Sequence, residues 1–545
     1  MLRGIKKHRL YKINGFSGLD RTSGCKMGEF CEMENLSSRN FPAMSPIFTR
    51  VKYLTGVEDL FLYDNEYFKI TSDGSFYRGT KKITGKVSTG LHEFSVLGNN
   101  LIIMPDKLCY DMKKGVLKSM EVQWHGVGVF VAGEVFGYQS QVNTLHTEID
   151  VSEYFSVGDC IEITSGTKVL GYFTIKEFNS GYILFENGAF KKSTGTEDIT
   201  LKRTMPDLKN TFECNNRLWG SCDNVIYASA LGDPFNFYKY RGISTDSYFK
   251  EIYSAGEFTA GAALGETPVF FKERAIYRIY GNTPDSFYVD VKEAIGVSAD
   301  CKESLACLDG ALYYAGTDGI YAYSSSYPTK ISAPLGSIKV GRASGGTDER
   351  RYYVSFSQFK GISDDISDIL NEFYGNRLYA YDSELGIWHV YDPDIKIKRI
   401  RTGHFGSVFK KVNTMAISEN SEVYSLGDKP SGVLVDDLEG ERVMRVDSYG
   451  ITGIVDFGPC CEVNSIRFAL ELESEAEFYA EISFDGGDFE RIGHITASNG
   501  SISKKITFRV PKKRFSYFRL KMGGRGEYSL SSVDIYYRSC YNEKG

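Results

Sequence analysis

The stretch GALYYAGTDGIYAY, running from Gly310 to Tyr323, reads as turn, short strand, turn, short strand. Aromatic and β-branched residues favour strands, and the Gly and Asp-Gly steps mark where the chain reverses. The same turn–strand–turn element recurs along the chain: FLYDN at Phe61, NNLIIMPDK at Asn99, NRLWGS at Asn216, PVFFKE at Pro268, NRLYAYDS at Asn376 and SEVYSLGD at Ser421. The first apolar strand residue of each serves as a marker, giving Leu62, Leu101, Leu218, Val269, Leu312, Leu378 and Val423, with steps of 39, 117, 51, 43, 66 and 45. Four of these six steps lie near the roughly 40–50-residue period of a propeller blade. A small antiparallel sheet cannot bury both faces alone, and packing such sheets radially solves the problem. The expected architecture is all-β: a β-propeller of six to eight blades.

The exceptional steps locate excursions. The step of 117 implies one period plus an insertion, placed at residues 120–203, where HTEIDVSEYFSVGDCIEIT, GYFTIKEFNSGYILFENG and EDITLKR carry their own strand pattern. Within it, Val157-Gly158-Asp159 reads as a turn leading into a strand, and the whole as a small β-barrel. The step of 66 contains the best helical stretch, Ser363 to Phe373, read as a loop excursion between strands. Beyond about residue 450, five long alternating segments (SIRFALELE, AEFYAEISFD, KKITFRVP, YFRLKMGG and YSLSSVDIYY) predict a compact β-sandwich. The expected layout is an N-terminal arm at 1–50, the propeller at 51–119 and 204–449, the inserted barrel at 120–203 and the C-terminal sandwich at 450–545.

Composition agrees with a packed all-β chain. Of 545 residues, 42% are hydrophobic and 25% charged, with 37 Tyr, 36 Phe, 56 Gly and only 13 Pro, which excludes disordered, collagen-like and Pro-rich readings. Lys and Arg number 64 against 70 Asp and Glu, a formal charge of −6. That argues against a tight duplex binder, which carries a basic excess, and leaves room for DNA passing through a weakly interacting channel. No apolar run approaches the roughly 18 residues of a membrane span. The basic start MLRGIKKHRLYKI lacks the apolar stretch of a secretory signal. The 11 Cys are scattered with no C-x-x-C, so ordinary reduced thiols are expected, with neither a zinc site nor a disulfide framework.

The motif search yields no catalytic, cofactor-binding or metal residues. Gly15-Phe16-Ser17-Gly18 has the wrong spacing for a nucleophile elbow. Gly126-Val127-Gly128 begins like a dinucleotide fingerprint, but Val131 stands where the third Gly belongs. None of the seven His (His8, His92, His125, His146, His389, His404 and His494) pairs at metal-ligand spacing, and His389 reads as a packed strand residue. Asp392, Asp394, Asp436 and Asp437 fit turns and caps and follow no EF-hand pattern. The hairpin from Ser483 to Phe489 resembles the Asp-box of sialidase-like propellers, with Asp485 expected to hold backbone amides of the turn. The basic groups Lys6-Lys7-His8-Arg9, Lys81-Lys82, Lys410-Lys411 and Lys512-Lys513-Arg514 read as solvated turns.

The order of these features resembles a known family. The stretches DNVIYASALGDPFNF (Asp223 to Phe237) and FFKERAIYRIYG (Phe270 to Gly281), followed by Gly296-Val297-Ser298, Gly310 to Tyr314 and Asp318 to Tyr321, resemble blade motifs of β-propeller nozzle, hub or packaged-DNA stabilisation proteins of short-tailed bacteriophages. Gly28-Glu29-Phe30, Glu34-Asn35-Leu36 and Ser45-Pro46 resemble the arm before their propeller, and SFDGGDFERIG with Arg519 their terminal sandwich. The chain departs from some of them in lacking a Gln- and Pro-rich N-terminal pattern and in being shorter. The resemblance implies a structural virion protein of the phage tail, assembled in the host cytoplasm. Its copies would form a ring, expected as a hexamer, below the portal and adaptor rings and beside tail fibres or spikes. That ring would retain packaged double-stranded DNA and conduct it during ejection, with no enzyme activity and no cofactor. Two other readings are a receptor-binding or adhesin propeller and a carbohydrate-active propeller enzyme.

Overall fold

Tight reversals set the pattern of the chain. Asn215 (φ 51°) with Asn216 (φ 58°), and Asp309 (φ 49°) with Gly310 (φ 71°), place two consecutive left-handed residues between strands. That geometry matches the natural twist of a two-residue hairpin, and Asn, Asp and Gly tolerate it best. The computed structural model describes residues 9–47, 50–64, 66–131, 144–179, 181–186, 195–358, 377–391, 395–405, 411–426, 441–442, 447–498 and 500–539.

Among the described residues, seven antiparallel sheets follow one another in sequence, each strand pairing with the next. They span 57–86, 93–119, 209–251, 260–293, 306–330, 340–391 and 397–426, and are called blades 1 to 7. The last takes its fourth strand from before the first blade: Val51–Leu54 pairs with Val423–Leu426 through Val423↔Leu54 and Tyr424↔Lys52. This is a β-propeller carrying an inserted barrel and a C-terminal β-sandwich. The chain forms two compact units, one of residues 1–68 with 300–545 and the other of 69–299.

Within each unit, neighbouring blades meet through their first strands, and small residues make the approach possible. A Cβ on Gly403 of blade 7 would stand 2.1 Å from the Leu62 Cβ and 2.6 Å from the Leu62 carbonyl oxygen of blade 1. One on Gly346 of blade 6 would meet the Thr402 hydroxyl at 2.5 Å, and one on Gly261 of blade 4 would meet Phe212 of blade 3 at 2.7 Å. Hydrogen bonds cross the same seams. Thr402 Oγ1 accepts from the Thr347 amide at 2.9 Å, Ser344 Oγ from the Ile400 amide at 2.8 Å, and Glu93 from the Thr211 amide at 2.6 Å.

The strand markers fall less regularly than their spacing suggests. Leu101, Leu218, Val269 and Leu312 lie on second strands, but Leu62 is on a first strand and Leu378 and Val423 are on third strands. The sequence turn signal precedes first, second and third strands alike, so it does not number the strand. The helical reading of Ser363 to Phe373 lies outside the described residues.

The insertion is a closed six-stranded barrel, from Val122–Val131 to Glu197–Arg203, filled by Trp124, Phe130, Leu145, Ile161, Ile163 and Ile199. It follows blade 2 and precedes blade 3. The 231–247 loop of blade 3 holds it: Asn236 Oδ1 accepts from the Cys160 amide at 2.7 Å, Tyr172 stacks on Tyr238 at 4.5 Å, and Arg241 pairs with Glu186. Asp233 shapes that loop by accepting from the Phe235 amide, Asn236 and Lys239. This gives the LGDPFNF motif a physical role as a docking loop.

The C-terminal sandwich is one nine-stranded sheet folded over on itself. The 18-residue strand Val455–Leu472 turns the corner, pairing with Phe515–Arg525 at one end and with Ile502–Arg509 and Tyr528–Ser539 along the rest. Phe468 and Phe478 meet edge to face across the two layers at 5.4 Å. The N-terminal segment, read from the sequence as an arm before the first blade, contributes strands to this sheet. Arg9–Ile13 pairs with Tyr528–Ser539, and Phe30–Glu34 with Asp447–Thr452, so the segment supplies an edge strand at each end of the main strand path. A register shift between Phe30 and Glu32 breaks the alternation that would have revealed the second of these strands.

Gly403→Ala should therefore lower stability by about 1–3 kcal/mol or more, through overpacking against backbone. Gly195→Ala, whose added Cβ would meet nothing within 4 Å, serves as the control. Urea midpoints of the two variants measure the difference.

Candidate functional site

A four-charge constellation sits where first strands converge in the unit of 1–68 and 300–545. Asp59 lies on the first strand of blade 1, Arg399 and Arg401 on that of blade 7, and Glu303 on the short 3-10 turn Ala299–Ser304 before blade 5. Asp59 is fully buried and Arg399 nearly so, while Arg401 and Glu303 are partly exposed. Arg401 grips Asp59 with two bonds, Nε to Oδ1 at 2.9 Å and Nη2 to Oδ2 at 3.1 Å. Arg399 Nη1 lies 3.1 Å from Asp59 Oδ2, and Arg401 Nη2 lies 3.1 Å from Glu303. Arg399 also donates to the Glu58 carbonyl at 2.9 Å. Burial works against the Arg401 charge, but Asp59 and Glu303 outweigh it and push its pKa up.

Buried Asp59 and Arg399 thus pair with the partly exposed Arg401 and Glu303, and both oxygens of Asp59 are engaged. Buried charge is tolerated only when paired and hydrogen-bonded in this way. The cluster can hold strands together, but it offers neither a free base nor a nucleophile. It differs from the Arg, Tyr and acid constellation of a sialidase-like site, because here the arginines hold the acids themselves. Sequence reasoning missed it: its members are 342 positions apart, from Asp59 to Arg401, and no local spacing marks them.

Local motifs resolve into packing roles. Gly126 and Gly128 lie on the barrel strand Val122–Val131, where a Cβ would strike the Trp124 ring at 2.4 Å and Ile199 at 2.7 Å. They make room for the barrel core. Gly18 packs against the Trp388 carbonyl, where a Cβ would stand at 2.5 Å. Asp485 accepts from the Ser516 and Tyr517 amides, at 2.9 and 3.1 Å, so it ties its hairpin to the adjacent strand rather than to its own turn. Lys513 lies over the Phe484 ring and Arg514 beside Glu462. Asp392, Asp394, Asp436, Asp437, His8, Lys6, Lys7 and Lys410 lie outside the described residues.

His92 is the histidine closest to a catalytic constellation. Its Nε2 stands 3.3 Å from Ser88 Oγ and 3.9 Å from Asp106. Ser88 Oγ, however, donates directly to Asp106 at 2.6 Å, and the Ser88 amide donates to the same carboxylate. A triad needs the imidazole between nucleophile and acid, one ring nitrogen to each. Here both partners lie toward one nitrogen, and the arrangement caps a turn. His125 meets Thr200 at 3.0 Å and His494 meets Glu477 at 3.6 Å, both at the surface. No group of three His, Cys, Asp or Glu that could hold a metal occurs among the described residues. The described cysteines are free thiols, and burial pushes Cys109 up to about 12 and Cys160 to about 11, far from a reactive thiolate. No helix among the described residues is long and apolar enough to cross a membrane.

His389 is buried on the last strand of blade 6, Ile387–Tyr391. The N-terminal segment covers that strand: the Leu19 amide donates to the Trp388 carbonyl and the Asn35 amide to the Val390 carbonyl, both at 2.8 Å. Burial, reinforced by Arg351, lowers His389 to about 3.

No protein-family model and no curated protein matches the chain. Similar solved structures include BBS1N in complex with ARL6DN, at 10% identity and TM-score 0.33, covering 71% of this chain and 99% of that one. Hsv2 of Kluyveromyces lactis follows at 9% identity and TM-score 0.27, covering 62% of this chain and 97% of that one. An exo-β-1,3-galactanase of Phanerochaete chrysosporium with galactose has 10% identity and TM-score 0.23, covering 60% and 95%. None carries a function across to this chain.

Two outcomes test the site. Asp59→Asn should cost about 3 kcal/mol, because it removes the carboxylate that pairs buried Arg399 and partly exposed Arg401 and leaves Glu303 to serve both. A shifted denaturant midpoint measures the loss. His389 stays neutral in the fold while the unfolded chain takes up a proton below its ordinary value near 6.5, so its contribution is whole above that pH and declines from there toward about 3. The gap in melting temperature between pH 7 and pH 4.5 should narrow in His389→Gln. An unchanged gap would remove His389 from the acid response.

Proposed function

We propose that this chain is a structural protein of a bacteriophage tail, whose copies form a ring below the portal and adaptor that retains packaged DNA and conducts it during ejection. The observation that carries the reading is architectural. The charged groups between the first strands are spent on one another, while a barrel and a sandwich are fixed to the blades as contact modules. That arrangement suits a load-bearing part better than a reacting one. The blade and loop motifs from Asp223 to Phe237 and from Phe270 to Gly281 support the same family. Rotational symmetry would set one surface of the chain repeatedly around the DNA path. A net charge of −6 would let DNA slide rather than adhere.

A receptor-binding role is the second reading. The exposed aromatics Tyr253, Tyr288 and Phe249 favour it, being 88%, 60% and 53% accessible. Electron microscopy of the purified chain, alone and mixed with its adaptor ring, separates the two. The expected result is a six- or twelve-fold ring with an axial hole that docks on the adaptor by one face. Monomers or trimers indifferent to the adaptor would overturn the ring and direct attention to receptor binding.

A further inference from the structure

A half-open pocket of about 100 Å³ lies between blades 6 and 7, and its lining includes Arg342, Ser344, Ser355, Ser357, Lys398 and Glu419. Antiparallel order explains the gathering. Arg342 and Lys398 stand near the starts of first strands, while Ser357 and Glu419 stand at or just past the ends of second strands. At about 30 Å³ per water, the space holds some three waters, about the size of one tetrahedral oxyanion.

The proton inventory of the lining is one-sided. Ser344 Oγ accepts from the Ile400 amide at 2.8 Å and Ser357 Oγ from the Arg342 amide at 3.2 Å, so each hydroxyl keeps its own proton to donate. Ser355 is 5% exposed, and its hydroxyl has no protein partner among the described residues. Lys398 gives one of its three protons to Glu58 at 2.7 Å, and the nearest acid to Arg342, Glu303, is 3.7 Å away, beyond hydrogen-bond reach. Against these donors the lining sets one carboxylate, Glu419, which is exposed at the rim.

We propose that this cavity binds a phosphate group that still carries a proton, as inorganic phosphate does at neutral pH and a phosphomonoester does at or below its second pKa of about 6. The serine hydroxyls, Arg342 and Lys398 donate to its unprotonated oxygens, and Glu419 accepts its P–OH proton. Sulfate at neutral pH has no proton to give and is repelled by the same carboxylate. A phosphodiester has none either, so a DNA backbone is a poor ligand. Glu58, Glu303 and Glu419 offset the two cations, so recognition depends on hydrogen bonds more than on net charge. The inference stands apart from the tail-ring reading and survives its failure.

Calorimetric titration of the full chain at pH 6, where phosphate and about half of a phosphomonoester keep a proton and sulfate has none, with inorganic phosphate, glycerol phosphate, sulfate and a short DNA duplex tests it. Phosphate or glycerol phosphate should bind, with sulfate and duplex at least about tenfold weaker, as the loss of one hydrogen bond to a charged group implies. Tighter binding of glycerol phosphate assigns the site to phosphorylated metabolites, and tighter binding of inorganic phosphate to the free ion; either supports the proposal. Ser355→Ala and Arg342→Gln should each weaken phosphate by about tenfold at an unchanged urea midpoint. Glu419→Gln should let sulfate bind as well as phosphate. No heat with either phosphate compound, equal binding of sulfate by the unaltered chain, or phosphate binding untouched by Ser355→Ala would each overturn it.

Discussion

A propeller blade leaves one edge of its first strand without a neighbouring strand, and the amides and carbonyls on that edge must still find partners. In this chain the adjacent blade supplies them. Thr402 and Ser344 take the Thr347 and Ile400 amides across one seam, and Glu93 takes that of Thr211 across another. An unpaired buried amide costs about as much as a lost hydrogen bond, so these side chains decide whether the blades can abut at all. Glycines at 261, 346 and 403 follow from the same demand, because the crossing bonds form only when strands approach closely.

The charged cluster belongs to this logic. Asp59, Glu303, Arg399 and Arg401 occupy positions where apolar side chains would leave the convergence of first strands without directional bonds. Replacing a buried ion pair with apolar residues is often neutral for stability, so the gain of such a cluster is register more than energy. The bidentate grip of Arg401 on Asp59 fixes the relative height of blades 7 and 1. The closing strand Val51–Leu54 ties the same two regions covalently, because it completes blade 7 three residues before blade 1 begins at Val57.

The blades were legible because each announces itself through hairpin chemistry. Asn215-Asn216 and Asp309-Gly310 are strong local signals, and the long step between Leu101 and Leu218 correctly marks the barrel. Strand numbering within a blade was not legible, since a turn before Leu378 looks like a turn before Leu312. The N-terminal strands were hidden for another reason. Arg9–Ile13 is mostly solvent-facing, and Phe30–Glu34 carries a bulge, so neither shows clean alternation. The ion cluster and the hydroxyl-lined cavity depend on residues far apart in sequence, and no periodicity foretells them. After Gly126 and Gly128 the sequence departs from the dinucleotide pattern at Val131, and the two glycines admit Trp124 and Ile199 into a barrel core.

Native-state hydrogen exchange at the Thr347, Ile400 and Thr211 amides tests the central claim most directly. None of the three depends on a strand of its own sheet for protection at the seam, so their exchange reports the cross-blade bonds alone. Protection equal to that of amides within the blade ladders, lost only on global unfolding, is the result this account requires. Exchange at the rate of exposed turn amides such as those of Gly56 and Gly265 would mean that the seams open locally and that something else holds the blades together.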